Sequence, residues 1–67
     1  MTCTSTYKKK GMQLYFENKY LEAIKKFNKV IEREPEDSDS WFFRGCSKYG
    51  LTQNEEAIKD FDQAIKL

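Results

Sequence analysis

The sequence has no histidine, one proline, three glycines and two cysteines, and no apolar run that approaches a membrane span. Each scarcity excludes something. Without histidine the chain lacks the side chain best suited to proton transfer near neutral pH and the commonest metal ligand. Cys3 and Cys46 form no metal-ligand spacing, and they are read as free thiols of a reducing compartment rather than as a redox pair. Residues Met1 to Thr6 lack the apolar segment of a signal peptide, so a soluble, cytoplasmic protein is expected. Charge of one sign is missing too. Twelve Lys and Arg face eleven Asp and Glu, a formal net charge of +1, which offers no global field for nucleic acid, an anionic membrane or an acidic substrate. No nucleophile–base pairing and no glycine-rich phosphate loop is present, so neither catalysis nor a cofactor is expected.

What the chain does contain is itself, twice. A shift of thirty-four positions lays Gly11 on Gly45, Tyr15 on Tyr49, and Glu22-Ala23-Ile24-Lys25 on Glu56-Ala57-Ile58-Lys59. It also lays Phe27 on Phe61, Ile31 on Ile65 and Tyr7 on Trp41. A fixed period of this length marks a repeat architecture, in which each unit is a supersecondary element that cannot bury its apolar face alone. The two copies fill the chain as one domain, the first over about residues 4–37 and the second over about 38–67.

Periodicity predicts four helices. The first runs from about Ser5 to Glu17, with Tyr7, Gly11 and Leu14 on one stripe. The second, from about Lys19 to Glu34, places Tyr20, Ile24, Phe27 and Ile31 on one face. The third starts near Ser38, whose hydroxyl suits an N-cap, and stops near Gly50. The fourth follows Thr52 to Glu55, a pair with capping-box spacing, and carries Ile58, Phe61 and Ile65. Short connections force antiparallel neighbours, so two stacked helical hairpins are expected. Strands are not, because apolar–polar alternation never persists.

These residues resemble the tetratricopeptide repeat (TPR). The first copy carries that family's pattern as Tyr7, Gly11, Tyr20, Ala23, Phe27 and Pro35, and the second as Trp41, Gly45, Ala57, Phe61 and Ala64. The resemblance covers about residues 4–67 and implies an all-α fold of two helix-turn-helix hairpins in a short right-handed solenoid. Asn54 departs from the aromatic expected opposite Tyr20, and Lys10 and Arg44 occupy a position that is usually apolar.

The resemblance also implies a use: the concave face of the first helices of each hairpin holds a peptide or partner protein. Here that face is Lys8, Met12, Tyr15 and Phe16 in the first hairpin and Phe42, Cys46 and Tyr49 in the second. Trp41-Phe42-Phe43 sharpens the expectation, since three consecutive helical residues spread over about 200° and one packed face cannot take them all. With Trp41 in its own hairpin, Phe42 faces the groove and Phe43 the preceding repeat. A partner with bulky apolar anchors, flanked by charges that suit Lys8, Arg44 and Lys48, is expected.

Family members that grip acidic chaperone C-termini use a carboxylate clamp. Lys8 matches its first lysine, but the two asparagines are Met12 and Phe43 here, so clamp-type binding is not expected. Lys8-Lys9-Lys10 reads as a solvated helix face, and Glu32, Glu34, Glu36, Asp37 and Asp39 as a solvated turn without calcium-loop spacing.

A structural reading competes with the binding one. Ile58, Phe61 and Ile65 belong to a surface that a following repeat normally covers, and leaving about 200 Å² of it wet forgoes roughly 5 kcal/mol. Excision from a longer array, or self-association into a homo-oligomer through this end, accounts for that surface better than a stable monomer.

Overall fold

The computed structural model describes residues 3–67, which form four helices: α1 (Cys3–Phe16), α2 (Tyr20–Arg33), α3 (Ser38–Gly50) and α4 (Asn54–Lys66). Among the described residues there is no strand. α1 pairs with α2 and α3 with α4 as two hairpins, and α3 joins them by lying mainly along α2. The result is a flat body of 34 × 28 × 14 Å. No helix is long and apolar enough to cross a membrane among the described residues.

Each hairpin closes where a glycine of its first helix meets an aromatic ring of its second. A Cβ built on Gly11 would lie 2.9 Å from Cζ of Phe27, and one on Gly45 would lie 2.8 Å from Cε1 of Phe61. Ala23 and Ala57, both buried, keep the facing helix equally slim. The core around the first closure is Leu14, Ala23 and Phe27, with Met12, Tyr15 and Phe43 packed on it.

Both hairpin turns are Schellman motifs, built from the same hydrogen bonds. After α1, the Lys19 N–H donates to the Leu14 carbonyl at 2.8 Å and the Asn18 N–H to the Tyr15 carbonyl at 2.9 Å. After α3, Gln53 donates to Lys48 at 2.9 Å and Thr52 to Tyr49 at 2.9 Å. The left-handed residue each motif requires is Asn18 (φ 65°) in one turn and Thr52 (φ 63°) in the other.

α3 stops at Gly50 as expected, and two other local expectations are corrected here. Gly50 is the last residue of α3, but its φ is not positive; its missing side chain makes room for the Tyr20 ring, which a Cβ would approach to 2.6 Å. Ser38 is the first helical residue and not the cap. Asp37 takes the cap position, and no side chain of that end caps a backbone N–H. Thr52 and Glu55 do not form a capping box, because Gln53 is the N-cap of α4 and Thr52 belongs to the preceding turn.

Asn tolerates the left-handed region, whereas a β-branched residue there is strained by about 1–3 kcal/mol. Thr52→Gly should therefore raise stability by about 1 kcal/mol and the thermal midpoint by about 4–8 °C. Glu55→Ala should leave the midpoint unchanged. Scanning calorimetry of both variants checks the turn, and a lowered midpoint for Thr52→Gly contradicts it.

Candidate functional site

The first helices of the two hairpins, α1 and α3, carry the residues assigned to a partner-binding face. The structure brings some of them together. The Tyr15 hydroxyl and the Cys46 thiol share a hydrogen bond across the junction of the hairpins. Burial pushes the Cys46 pKa up, partly offset by that bond, and burial followed by the neighbouring thiol pushes Tyr15 up. Cys46 is a free, protonated thiol, while the side chain of Cys3 lies outside the described residues. Met12 and Tyr15 are half-buried against the core and Phe43.

Three exposed aromatics lie on the same two helices. Phe16 is 69% exposed, Tyr49 65% and Phe42 48%. Tyr15 meets Phe16 edge-on at 5.3 Å and Phe43 at 5.9 Å, and Phe43 in turn stacks on Phe27 at 5.9 Å and 14°. The three consecutive aromatics thus diverge. Phe43 turns to the preceding hairpin. Trp41 donates from Nε1 to the Pro35 carbonyl at 2.8 Å and lies under the Arg44 guanidinium at 4.6 Å. Phe42 remains at the surface, with Phe61 5.7 Å away.

The cations expected to greet partner charges are all engaged within the fold. Lys8 pairs with Asp37 at 3.1 Å and Asp39 at 3.4 Å. Burial disfavours its charge, but the hydrogen bond and attraction of Asp37, with Asp39 behind, outweigh that and raise its pKa. Arg44 grips Asp60 with two bonds, Nε to Oδ2 at 3.0 Å and Nη2 to Oδ1 at 2.9 Å, and reaches Asn28 of the first hairpin with Nη1 at 2.8 Å. Lys48 completes the cluster 3.2 Å from Asp60, whose side chain is only 4% exposed.

The acids of the inter-repeat turn are likewise more than solvated. Glu34 accepts the Thr4 hydroxyl at 2.8 Å, and Asp37 accepts Lys8 and the Ser40 hydroxyl. No cluster of potential metal ligands occurs among the described residues.

Sequence reasoning missed this polar joint. Asp60 and Lys48 replace Lys26 and the buried Leu14 of the first hairpin, so the signal was a difference between the copies. The three residues assigned to self-association divide. Ile58 and Ile65 are exposed, Ile65 to 82%, whereas Phe61 is half-buried between Gly45 and Phe42.

Two slim-waisted helical hairpins stacked through an aromatic and polar joint define an all-α repeat protein. The comparisons place it more narrowly. Residues 38–67 match the model of the tetratricopeptide repeat. The chain is similar to a Triticum aestivum Hsp70-Hsp90 organizing protein, 33% identical over 60 residues that make up 90% of this chain and 10% of that one. It is similar to the human mitochondrial import receptor subunit TOM70, 34% identical over 59 residues, 88% of this chain and 10% of that one. A Glycine max Hsp70-Hsp90 organizing protein 1 is 32% identical over 60 residues, again 90% and 10%. The chain thus spans about a tenth of the length of these curated relatives. No solved structure matches it. The chain belongs to the tetratricopeptide repeat family.

Removing one member of a buried ion pair strands the other, at a cost of about 3–5 kcal/mol. Asp60→Ala should therefore destabilise the fold by about that much and unfold much of the population near 37 °C. The triple variant Arg44→Met/Lys48→Leu/Asp60→Leu should regain most of the loss, because an apolar replacement leaves no charge unpaired. Chemical denaturation of both decides, and a single variant as stable as the parent contradicts the assignment.

Proposed function

We propose that the chain is a protein-interaction module that holds an extended segment of a partner against the face shared by α1 and α3. The exposed aromatics Phe16, Phe42 and Tyr49, on the same two helices as half-buried Met12, Tyr15 and Cys46, carry this reading. Aromatic side chains offer large contact area at small entropic cost, and a cluster beside a half-buried centre is the arrangement of an interaction hot spot. The relatives' names, an organizer of Hsp70 and Hsp90 and an import receptor, are those of proteins that engage other proteins, and protein binding is what such names bring to this chain.

The partner's side chains are bulky and apolar. Its charges count for little here, since Lys8, Arg44 and Lys48 are neutralised by Asp37, Asp39 and Asp60. A carboxylate clamp does not fit either. Lys8 is occupied, and Met12 and Phe43 stand where amide donors are needed, so a buried carboxylate would go unsatisfied. The module acts by holding, with no chemistry of its own.

Peptides displayed on an array and carrying two spaced aromatic or leucine anchors should bind the chain. Phe42→Glu and Tyr49→Glu should each weaken the best of them by about tenfold or more, whereas Leu21→Glu, exposed but on α2, should not. Amidating the peptide C-terminus should make no difference. Binding that is lost on amidation, or indifferent to both aromatic substitutions, overturns the proposal.

A further inference from the structure

The charges of the chain balance only as a whole. Residues 1–34 hold eight Lys and Arg against four Glu, and residues 35–67 four against seven acids. In the second hairpin the cations are held by carboxylates: Arg44 and Lys48 meet Asp60, and Lys59 meets Glu56 at 3.9 Å. On α2 they are not. Lys25, Lys26, Lys29 and Arg33 form no ion pair among the described residues, although Glu22 and Glu32 stand on the same helix. At 3.6 residues per turn the four fall within about 100° of the helix circumference. Lys25, Lys29 and Arg33 are exposed and follow one another at about 6 Å, a ridge of about 12 Å. Lys26, half-buried beside them, sets its Nζ 5.7 Å from the centre of the Tyr7 ring.

Helix stability does not account for this ridge. The macrodipole favours cations near a helix C-terminus, but its effect fades within the last turn, where Arg33 is the basic residue. Lys25/Lys29 and Lys29/Arg33 are like charges four residues apart and Lys26/Lys29 three apart, an arrangement that destabilises a helix. Nor does the repeat require it. Thirty-four positions on stand Lys59, Asp60, Gln63 and Leu67.

The ridge also lies where stacking does not reach. α2 meets its neighbours through Phe27, Tyr20 and Asn28, which contact Gly11, Gly50 and Arg44. α3 makes the second hairpin's contacts with the first, and α4 makes none. A hairpin stacked in the same way ahead of this one meets α1 and leaves α2, the counterpart of α4, untouched. The ridge is therefore open within an array of any length. Lys9 and Lys10 do not share that property, because they hold the positions of Phe43 and Arg44, by which α3 grips the hairpin before it.

We propose that the ridge from Lys25 to Arg33 is a docking surface for an acidic, extended segment of a partner protein. Alternate side chains of an extended segment recur at about 6.6 Å, so carboxylates at every second position meet one cation each in charge-assisted contacts. Glu22, one turn before Lys25 and Lys26, ends the ridge and repels a longer acidic run. A phosphate surface is a poorer match. Neither aromatic of α2, Tyr20 or Phe27, is exposed for bases to stack on, and a net charge of +1 leaves little to hold the chain on a bilayer. The contact stands apart from the α1–α3 groove and does not depend on it.

The test follows the amide shifts of the isotope-labelled full chain as an end-capped peptide of four Glu-Ser pairs is added. The salt is about 0.1 M, where charges act over about 10 Å. Shifts centred on Lys25 to Arg33 with a Kd of roughly 1–10 mM are expected, the sum of a few exposed ion pairs. The matching Gln-Ser peptide should give none. Lys29→Glu should weaken binding by about fivefold or more. By relieving three like-charge neighbours it should also raise the thermal midpoint by about 2–5 °C, so lost binding is not lost folding. Lys10→Glu, the same change of net charge on α1, should weaken binding by less than about twofold. Phe42→Glu, which disables the groove, should leave the shifts in place, so the ridge and the groove stand or fall separately. Shifts that are absent at about 20 mM peptide, that centre on another face, or that weaken equally with Lys10→Glu and Lys29→Glu overturn the proposal. Binding to phosphatidylserine vesicles or to a DNA duplex that Lys29→Glu abolishes also overturns it, and gives the ridge to a phosphate surface.

Discussion

Everything in this small protein depends on the distance between the two helices of each hairpin. With glycine at 11 and 45, the rings of Phe27 and Phe61 come to lie where a methyl group would otherwise be. Helices that close bring Leu14 and Ala23 into one sealed cluster and aim Phe43 at Phe27. A domain of 67 residues has little core to spare, so a contact of this kind is a large part of its stability. Glycine costs a helix interior about 1 kcal/mol relative to alanine, and both hairpins accept that cost at the same place.

Beyond that shared waist the copies solve the same packing problem differently. The first hairpin fills its interior with Leu14 and Val30. The second uses Asp60, gripped by Arg44 and Lys48, and the free arm of Arg44 reaches back to Asn28. Such a cluster is less tolerant of change than apolar packing, but its directional bonds fix the register of α3 against both α2 and α4. The same arrangement engages these basic side chains within the fold, while Phe42 and Tyr49 of α3 stay exposed.

The parts legible in sequence were those set by periodicity. Four helices, two hairpins and the glycine–phenylalanine contacts follow from apolar spacing and from agreement between copies, because burial must satisfy the same geometry twice. Helix ends were less legible. Asn18 and Thr52 both hold the left-handed turn position, yet threonine is a poor marker of it, and the capping signal of Thr52 and Glu55 belonged to a local option the chain does not take. The polar joint was hidden for a different reason. Arg44, Lys48 and Asp60 look like ordinary surface charges, sixteen residues and one helix turn apart, until the hairpin folds them together. The face proposed to bind a partner was chosen from helical spacing alone, and the ion pairs that engage Lys8 and Arg44 were out of reach there because they depend on contacts between helices.

If the waist at Gly11 sets the fold, Gly11→Ala must disturb it. Propensity alone would make this substitution stabilising by about 1 kcal/mol. The opposite is expected: the added methyl meets the inaccessible Phe27 ring at 2.9 Å, and overpacking of about 1–3 kcal/mol outweighs the propensity gain, so stability and with it the thermal midpoint fall. Gly11→Ala combined with Phe27→Leu should recover part of the loss relative to Phe27→Leu alone. A raised midpoint for Gly11→Ala in the parent chain would contradict the account.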